Sequence, residues 1–179
     1  MAAANQANRG KGLESMLDQL HQVYAARGWA SIDRTPQPIK RLKIHPGMRL
    51  PPGAFVAVYG GDGPPDYRGS VAPSGRSVVF DAKMSAGARW PLKHLEPHQA
   101  KDLDLALRTG AYPFVLLYIS GRTWVLPWTT LAPMWWYWHR GEAARGEASI
   151  STAELPTLGH PCAAGGWLPV VRQLLEAGA

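Results

Sequence analysis

VVFDAK (residues 78–83), taken with PPDYRGS (64–70) shortly before it, decides how this chain folds. Side chains alternate across a strand, so residues two apart share a face. If VVFDAK is a strand, Asp81 and Lys83 point one way and Val78, Phe80 and Ala82 point the other, into a core. PSGR (73–76) is turn chemistry, and the two segments it joins read as antiparallel strands with Asp66 heading the first. Two carboxylates can hold a hard divalent cation through oxygen. A lysine beside them can position an attacking water or meet the charge of a phosphate. Together they form the equipment for metal-dependent phosphodiester hydrolysis.

Around this centre the pattern predicts an α/β fold with a mixed sheet. Leu13, Met16, Leu17, Leu20, Val23 and Tyr24 recur at helical spacing, so a helix is expected over 11–26 with Gly28 as its stop. A short strand is expected over 29–33. Residues 95–109 read as a second helix ended by Gly110. FVLLYIS (114–120) and TWVLPW (123–128) flank Gly121-Arg122, taken as a two-residue hairpin connection. FVLLYI is apolar throughout, as expected of a central strand. A Trp-rich helix over 129–140 and a last helix over 168–177 complete the set. Residues 39–60 read as a protruding hairpin: IKRLKIH goes out, PGMRLPPG breaks the chain and AFVAVYG returns. Neither face of its outgoing strand is cleanly apolar, which suits solvent or a charged partner better than a core.

At 179 residues the chain is expected to form one domain with a core that needs no crosslinks. One cysteine, Cys162, rules out an intramolecular disulfide framework and fits a reducing compartment. No apolar run is long enough to span a bilayer, and MAAANQANRGKG lacks the apolar stretch of a secretory leader. A cytoplasmic protein is the expectation. The net charge of +6 is concentrated at the front: residues 1–50 hold eight Lys/Arg against three Asp/Glu. A basic first third on a nearly neutral body points to a polyanionic partner, or to solubility alone.

Other residues have competing readings. Glu14 lies at the edge of the first helix's apolar stripe and is either a solvated glutamate or a third metal ligand. Gln99 starts the second helix as a surface residue, or as one that holds the water or phosphate. His94 and His98 are four apart, but Pro97 separates them and HExxH is absent, which argues against zinc. Met134, Trp135, Trp136, Tyr137 and Trp138 are expected to pack in a core or subunit interface, with base stacking the alternative. YGGDGPPD lacks the GK[ST] of a phosphate-binding loop, and no GxSxG or Cys/His pair supports covalent catalysis.

The sequence Pro-Asp, gap, Asp-x-Lys resembles the signature of restriction-endonuclease-like nucleases. Taken in order, NRGKGLE (8–14), TPQPIK (35–40), DYRG, FDAK, PLKHLEPHQ (91–99), GAYPFVLLYI (110–119), VLPW (125–128), GEASIS (146–151), GHPC (159–162) and WLPVVRQLL (167–175) resemble the RecU-type Holliday junction resolvases. That resemblance implies a restriction-endonuclease-like core, working as a homodimer that nicks two strands of a four-way DNA junction. It implies magnesium, with manganese as a substitute, held by Asp66 and Asp81, with Glu14 completing or supporting the site. Lys83 would assist the water and Gln99 would stand behind it. Residues 39–60 match the family's stalk, with Lys40, Arg41, Lys43 and Arg49 on phosphates and Arg9 and Lys11 in a basic arm. Recombination proteins are implied as further partners. The chain departs from the family in carrying Asp81 for a glutamate and Pro65 for a threonine, and in the detail of its stalk. Two other functions fit the same residues: a related nuclease acting on flaps, single strands or nicks, and a non-catalytic module binding branched DNA.

Overall fold

The computed structural model describes residues 2–45, 47–143, 148–163 and 166–178, with side chains from residue 12 onward within those ranges except that of Tyr59. The chain opens with helix α1 (Ala2–Ala26), which begins well before the expected residue 11. Leu13, Leu17 and Tyr24 are buried along it, with Leu20 packed beside them. Met16 and Val23, counted in the same stripe from sequence, remain exposed. The row Leu13, Leu17, Leu20 and Tyr24 faces the sheet with His21 beside it, and Met16 and Val23 lie outside that stripe. Gly28 takes φ 63° while the Trp29 N–H bonds the Tyr24 carbonyl at 2.9 Å, which turns the chain out of the helix.

Strand β1 (Ala30–Arg34) follows, then β2 (Ile39–Arg41), β3 (Ala57–Tyr59), β4 (Tyr67–Val71) and β5 (Arg76–Ser85). After β6 (Arg89–Pro91) and a 3-10 turn (Leu92–His94) come helix α2 (Pro97–Arg108), β7 (Tyr112–Ile119), β8 (Arg122–Pro127) and helix α3 (Trp128–His139). The chain finishes through β9 (Ser149–Ser151), α4 (Leu155–Leu158), β10 (His160–Pro161) and α5 (Leu168–Glu176). Six strands form one sheet in the order β1-β4-β5-β7-β8-β10. Only β5 and β7 run parallel. A parallel pair needs a crossover over a sheet face, and α2 supplies it. That crossover is why α2 starts beside β5.

Both faces of the sheet are covered. Tyr67, Phe80, Phe114, Leu116 and Val125 pack under α1 and α5, while Val115, Leu117, Trp124 and Leu126 pack under α2 and α3. The expected inward set of β5, namely Val78, Phe80 and Ala82, belongs to the α1 side. Phe80 stacks between Tyr67 and Phe114, with ring centroids 5.0 and 4.6 Å apart, and its burial is worth roughly 2–3 kcal/mol. FVLLYI is central, as its composition requires.

Two expectations shift. Helix α2 starts at Pro97 rather than residue 95, because a residue before proline avoids the helical region and Glu96 is extended. The β7–β8 hairpin turns on Ser120-Gly121, both at positive φ (49° and 78°), and Arg122 is already paired with Ile119. Primed two-residue turns need that backbone to match strand twist.

The 39–60 hairpin is a separate two-stranded ribbon, paired only over Ile39↔Tyr59 to Arg41↔Ala57. Its tip lies between Arg41 and Ala57, and backbone bonds flank the ladder at both ends, from the Leu42 N–H to the Val56 carbonyl at 2.9 Å and from the Gly60 N–H to the Pro38 carbonyl at 3.1 Å. Among the described residues, no helix is long and apolar enough to cross a membrane.

Gly69, in DYRG, has ordinary φ yet no room for a side chain. A Cβ there would lie 1.9 Å from the Ser31 carbonyl oxygen and 2.8 Å from Ile32 Cα. Backbone cannot yield as a side chain does, so Gly69→Ala is expected to cost more than about 3 kcal/mol, read as a lowered urea midpoint.

His21 is buried among Tyr67, Phe80 and Trp167, and its Nε2 accepts the Trp167 indole N–H at 3.2 Å. Burial pushes its pKa down to about 4 from 6.5, against the opposing charge of Asp18. The unfolded chain therefore takes up the proton first, so this stability is complete above pH 6.5 and is lost as pH falls towards 4. Between pH 7 and 5 the loss is about 2 kcal/mol. Urea unfolding of wild type and His21→Gln, which keeps an acceptor but does not titrate, should show wild type losing more stability across that interval.

Candidate active site

The site begins where β4 and β5 part. Their last ladder pair is Tyr67↔Phe80, after which β5 continues alone on that side to Ser85. Carried one residue further, the register sets Asp66 opposite Asp81, and directly opposed residues project from the same face. The Asp66 backbone is fixed by its carbonyl, which accepts the Thr35 N–H at 2.8 Å. Its carboxylate Oδ2 accepts the Ala82 N–H at 3.0 Å, occupying a donor that the departing strand leaves open. A buried amide needs such a partner, so Asp66 closes the fork as well as arming it.

Asp81 is fully buried on the α2 side of the sheet, the face shared by Lys83. The Gln99 Nε2 donates to Asp81 Oδ1 at 2.9 Å, and Lys83 Nζ donates to Gln99 Oε1 at 2.9 Å. Lys83 Nζ also stands 3.7 Å from Asp81 Oδ1. Gln99 is the third residue of α2 and takes part in a capping box: the Glu96 side chain accepts the Gln99 N–H, and Gln99 Oε1 accepts the Glu96 N–H at 3.0 Å. With Oε1 engaged by two donors, the amide can only turn its NH2 towards Asp81. The Glu96 contribution is legible in hindsight as Glu-Pro-His-Gln, a capping residue followed three positions later by glutamine.

Asp81 Oδ2 has no hydrogen-bond partner among the described residues. Burial pushes the Asp81 carboxyl up to about 7, Lys83 pulls it down, and the neighbouring Asp66 charge raises it again. An uncompensated buried oxygen beside a second acid is what a cation relieves, and an all-oxygen pair suits a hard divalent ion. Asp66 and Asp81 thus fit a metal of that class. Among the described residues, no group of three His, Cys, Asp or Glu is arranged to hold a metal.

Glu14 lies on α1. It is ion-paired with Arg34, which also approaches Asp18 at 3.6 Å, and both acids lie on α1 across the other sheet face. His94 lies in the 3-10 turn and His98 in α2, so no single helix carries the pair. Burial and the charges of Lys93 and Lys83 lower the pKa of His94, which puts it on the margin of the site. His98 Nδ1 is 3.6 Å from Asp62 in the loop leading to Asp66. Lys40, Arg41, Lys43 and Arg49 are exposed on the ribbon and its tip, with the Arg41 guanidinium 4.2 Å from the Phe55 ring centre. The side chains of Arg9 and Lys11 lie outside the described residues.

Within the cluster over 134–138, Met134, Trp136 and Trp138 pack partly buried against the core, and Tyr137 is exposed. Trp135 is fully buried, and the indoles of Trp128 and Trp136 both donate to Asp104 of α2, at 2.7 and 2.9 Å. Asp104 was not singled out from sequence, because a lone aspartate in a helix carries no sign of two indole partners.

Known proteins resemble this chain in sequence over most of its length. The family model for Recombination protein U matches residues 8–166. The Holliday junction resolvase RecU of Bacillus pumilus (strain SAFR-032) is 28% identical over 155 residues, covering 86% of this chain and 73% of that protein. The Holliday junction resolvase RecU of Streptococcus pneumoniae (strain Hungary19A-6) is 27% identical over 182 residues, covering 97% and 88%. A solved structure, Archaeoglobus fulgidus Hjc, a Holliday junction resolvase, aligns with a TM-score of 0.45 and 16% identity over 82% of this chain and 92% of that one. With DYRG, FDAK and PLKHLEPHQ converging on one site and the family match running through nearly the whole sequence, this chain belongs to the RecU family.

Proposed function

We propose that this chain is a structure-selective DNA endonuclease that resolves four-way junctions by hydrolysing phosphodiester bonds. The observation that carries this reading is the Asp66, Asp81, Lys83 and Gln99 constellation, in a chain of the RecU family. A non-catalytic binder has no use for two carboxylates facing phosphates, since like charge near DNA costs affinity.

Asp66 and Asp81 would hold magnesium, which when bound activates a water and neutralises charge on the phosphate. Asp81 would bind through Oδ2, because Oδ1 is taken by Gln99. Lys83, steered by Gln99 Oε1, orients the attacking water and faces the charge that develops on the phosphate. Gln99 keeps Asp81 and Lys83 in register, so that one side chain sets both the ligand and the cation. Glu14 would enter only as a supporting acid, after exchanging Arg34 for the metal's hydration shell.

Residues 39–60 act as a stalk that enters the junction, with Lys40, Arg41, Lys43 and Arg49 on phosphates and Arg9 and Lys11 on an arm. Phosphate contacts position a nuclease and supply salt-dependent affinity, whereas branching is selected by shape. A homodimer would place one site at each of two strands, giving paired nicks.

Cleavage of a synthetic four-way junction in magnesium, beside a linear duplex of the same sequence, tests the reading. Wild type should give paired symmetric nicks on the junction alone, and chelation should stop them. Asp81→Ala should lower the rate by at least about 10³-fold, and Lys83→Ala by about 10²–10³-fold. Tight junction binding without cutting in magnesium or manganese would make the chain a binding module. Equal cutting of both substrates would leave a nuclease without junction selectivity. Replacing Arg41 and Lys43 together by Ala should weaken junction binding by about tenfold at moderate salt and flatten its salt dependence by about two phosphates. Fluorescence anisotropy against salt concentration measures both.

A further inference from the structure

Thr35, the first residue of TPQPIK, is buried, and the mechanism above gives its hydroxyl no part. It is 8% exposed, and its Oγ1 has no hydrogen-bond partner among the described residues. Burying an unpaired hydroxyl costs stability, and such groups persist in native structures where they serve a site or meet an ordered water.

Its position follows from strand register. In β1, Ile32 packs into the α1-side core and Arg34 meets Glu14 and Asp18 of α1. The two-residue period therefore turns Thr35 to the opposite face, the face of Asp81 and Lys83. The last β1–β4 pair is Arg34↔Tyr67, and the Thr35 N–H to Asp66 carbonyl bond at 2.8 Å extends that ladder by one. The last β4–β5 pair is Tyr67↔Phe80, and one step further stands Asp66 beside Asp81. Thr35, Asp66 and Asp81 thus occupy successive register positions on one face, each one step beyond the last pair of its ladder. Trp90 Nε1 and Tyr112 OH are also buried without a partner among the described residues, but neither follows this register.

We propose that Thr35 is a positioning residue of the active site, its hydroxyl hydrogen-bonding a water ligand of the divalent ion that Asp66 and Asp81 hold. The inference rests on the metal-site reading above. A magnesium-class ion keeps several waters when few carboxylates bind it, and a hydroxyl beside the carboxylates orients one of them. Thr35 also follows directly on β1, where the chain departs for the ribbon, so its contact ties the root of that ribbon to the site.

The test is calorimetric titration of the full chain with manganese alone, together with its melting temperature and junction cleavage. Thr35→Val is isosteric and suits a strand, and it removes only the hydroxyl. It should bind manganese about tenfold more weakly and cleave more slowly, yet melt about 2 °C higher because the unpaired polar atom is gone. Thr35→Ser, which restores the hydroxyl, should return affinity to within about threefold of wild type. If Val proves misfolded, Thr35→Ala makes the same comparison. Unchanged affinity and cleavage in Val or Ala would overturn the role of Thr35 while leaving the metal site standing. Wild-type titration that Asp81→Ala does not alter would overturn the metal site and the Thr35 inference together.

Discussion

When β4 and β5 separate past Tyr67↔Phe80, the Ala82 N–H loses its backbone partner, and the Asp66 carboxylate takes it. Most of the site depends on that one bond. A buried N–H cannot be left unpaired, so the fork would otherwise have to close or admit water. Because Asp66 satisfies it with one oxygen, its carboxylate is held at the sheet rather than free in a loop. Asp81 is then brought alongside by the register of the strand pair. Two acids that repel one another in isolation are fixed together by backbone geometry, and Asp81 is held up towards neutrality first by its burial and then by the neighbouring Asp66 charge.

The second constraint is the place of α2. The parallel β5–β7 pair requires a crossover, and the N-terminus of that crossover helix is where Gln99 meets Asp81 and Lys83. The other end of the helix is held by packing. Asp104 accepts the indoles of Trp128 and Trp136, so α3 fixes the height of α2 over the sheet. The same four-residue turn that caps α2 sets the Gln99 amide. Stability and chemistry therefore use the same atoms, and Gln99 cannot rotate without uncapping its helix.

The ribbon over 39–60 is built on the opposite plan. Its side chains are exposed on both faces, including Ile39, Leu42, Met48, Phe55 and Val58. Three paired residues on each strand cannot form a core of their own. Its two legs meet the body at Thr35 and Asp66, so the least packed part of the chain is rooted at the most constrained.

Much of this was legible in the sequence because it depends on short-range periodicity. The alternation of VVFDAK put Asp81 and Lys83 on one face, and the unbroken apolar run of FVLLYI marked the central strand. PSGR marked the β4–β5 connection. Local chemistry also misled where a neighbour outweighed it: Pro97 moved the start of α2, and strand twist moved the hairpin turn from Gly121-Arg122 to Ser120-Gly121. What only the tertiary structure decided is relative placement across long sequence separations. The engagement of Glu14 by Arg34 and the two indoles on Asp104 leave no periodic trace, because each is a contact between side chains brought together by the fold. Thr35 shows the limit most plainly: its residue type says nothing, and only the register of three strands sets its hydroxyl in line with Asp66 and Asp81. The sequence determined which side chains each strand turns to a common face, since that follows from the backbone's two-residue period. The sheet decided which strands lie side by side, since that follows from pairing and burial across the whole chain.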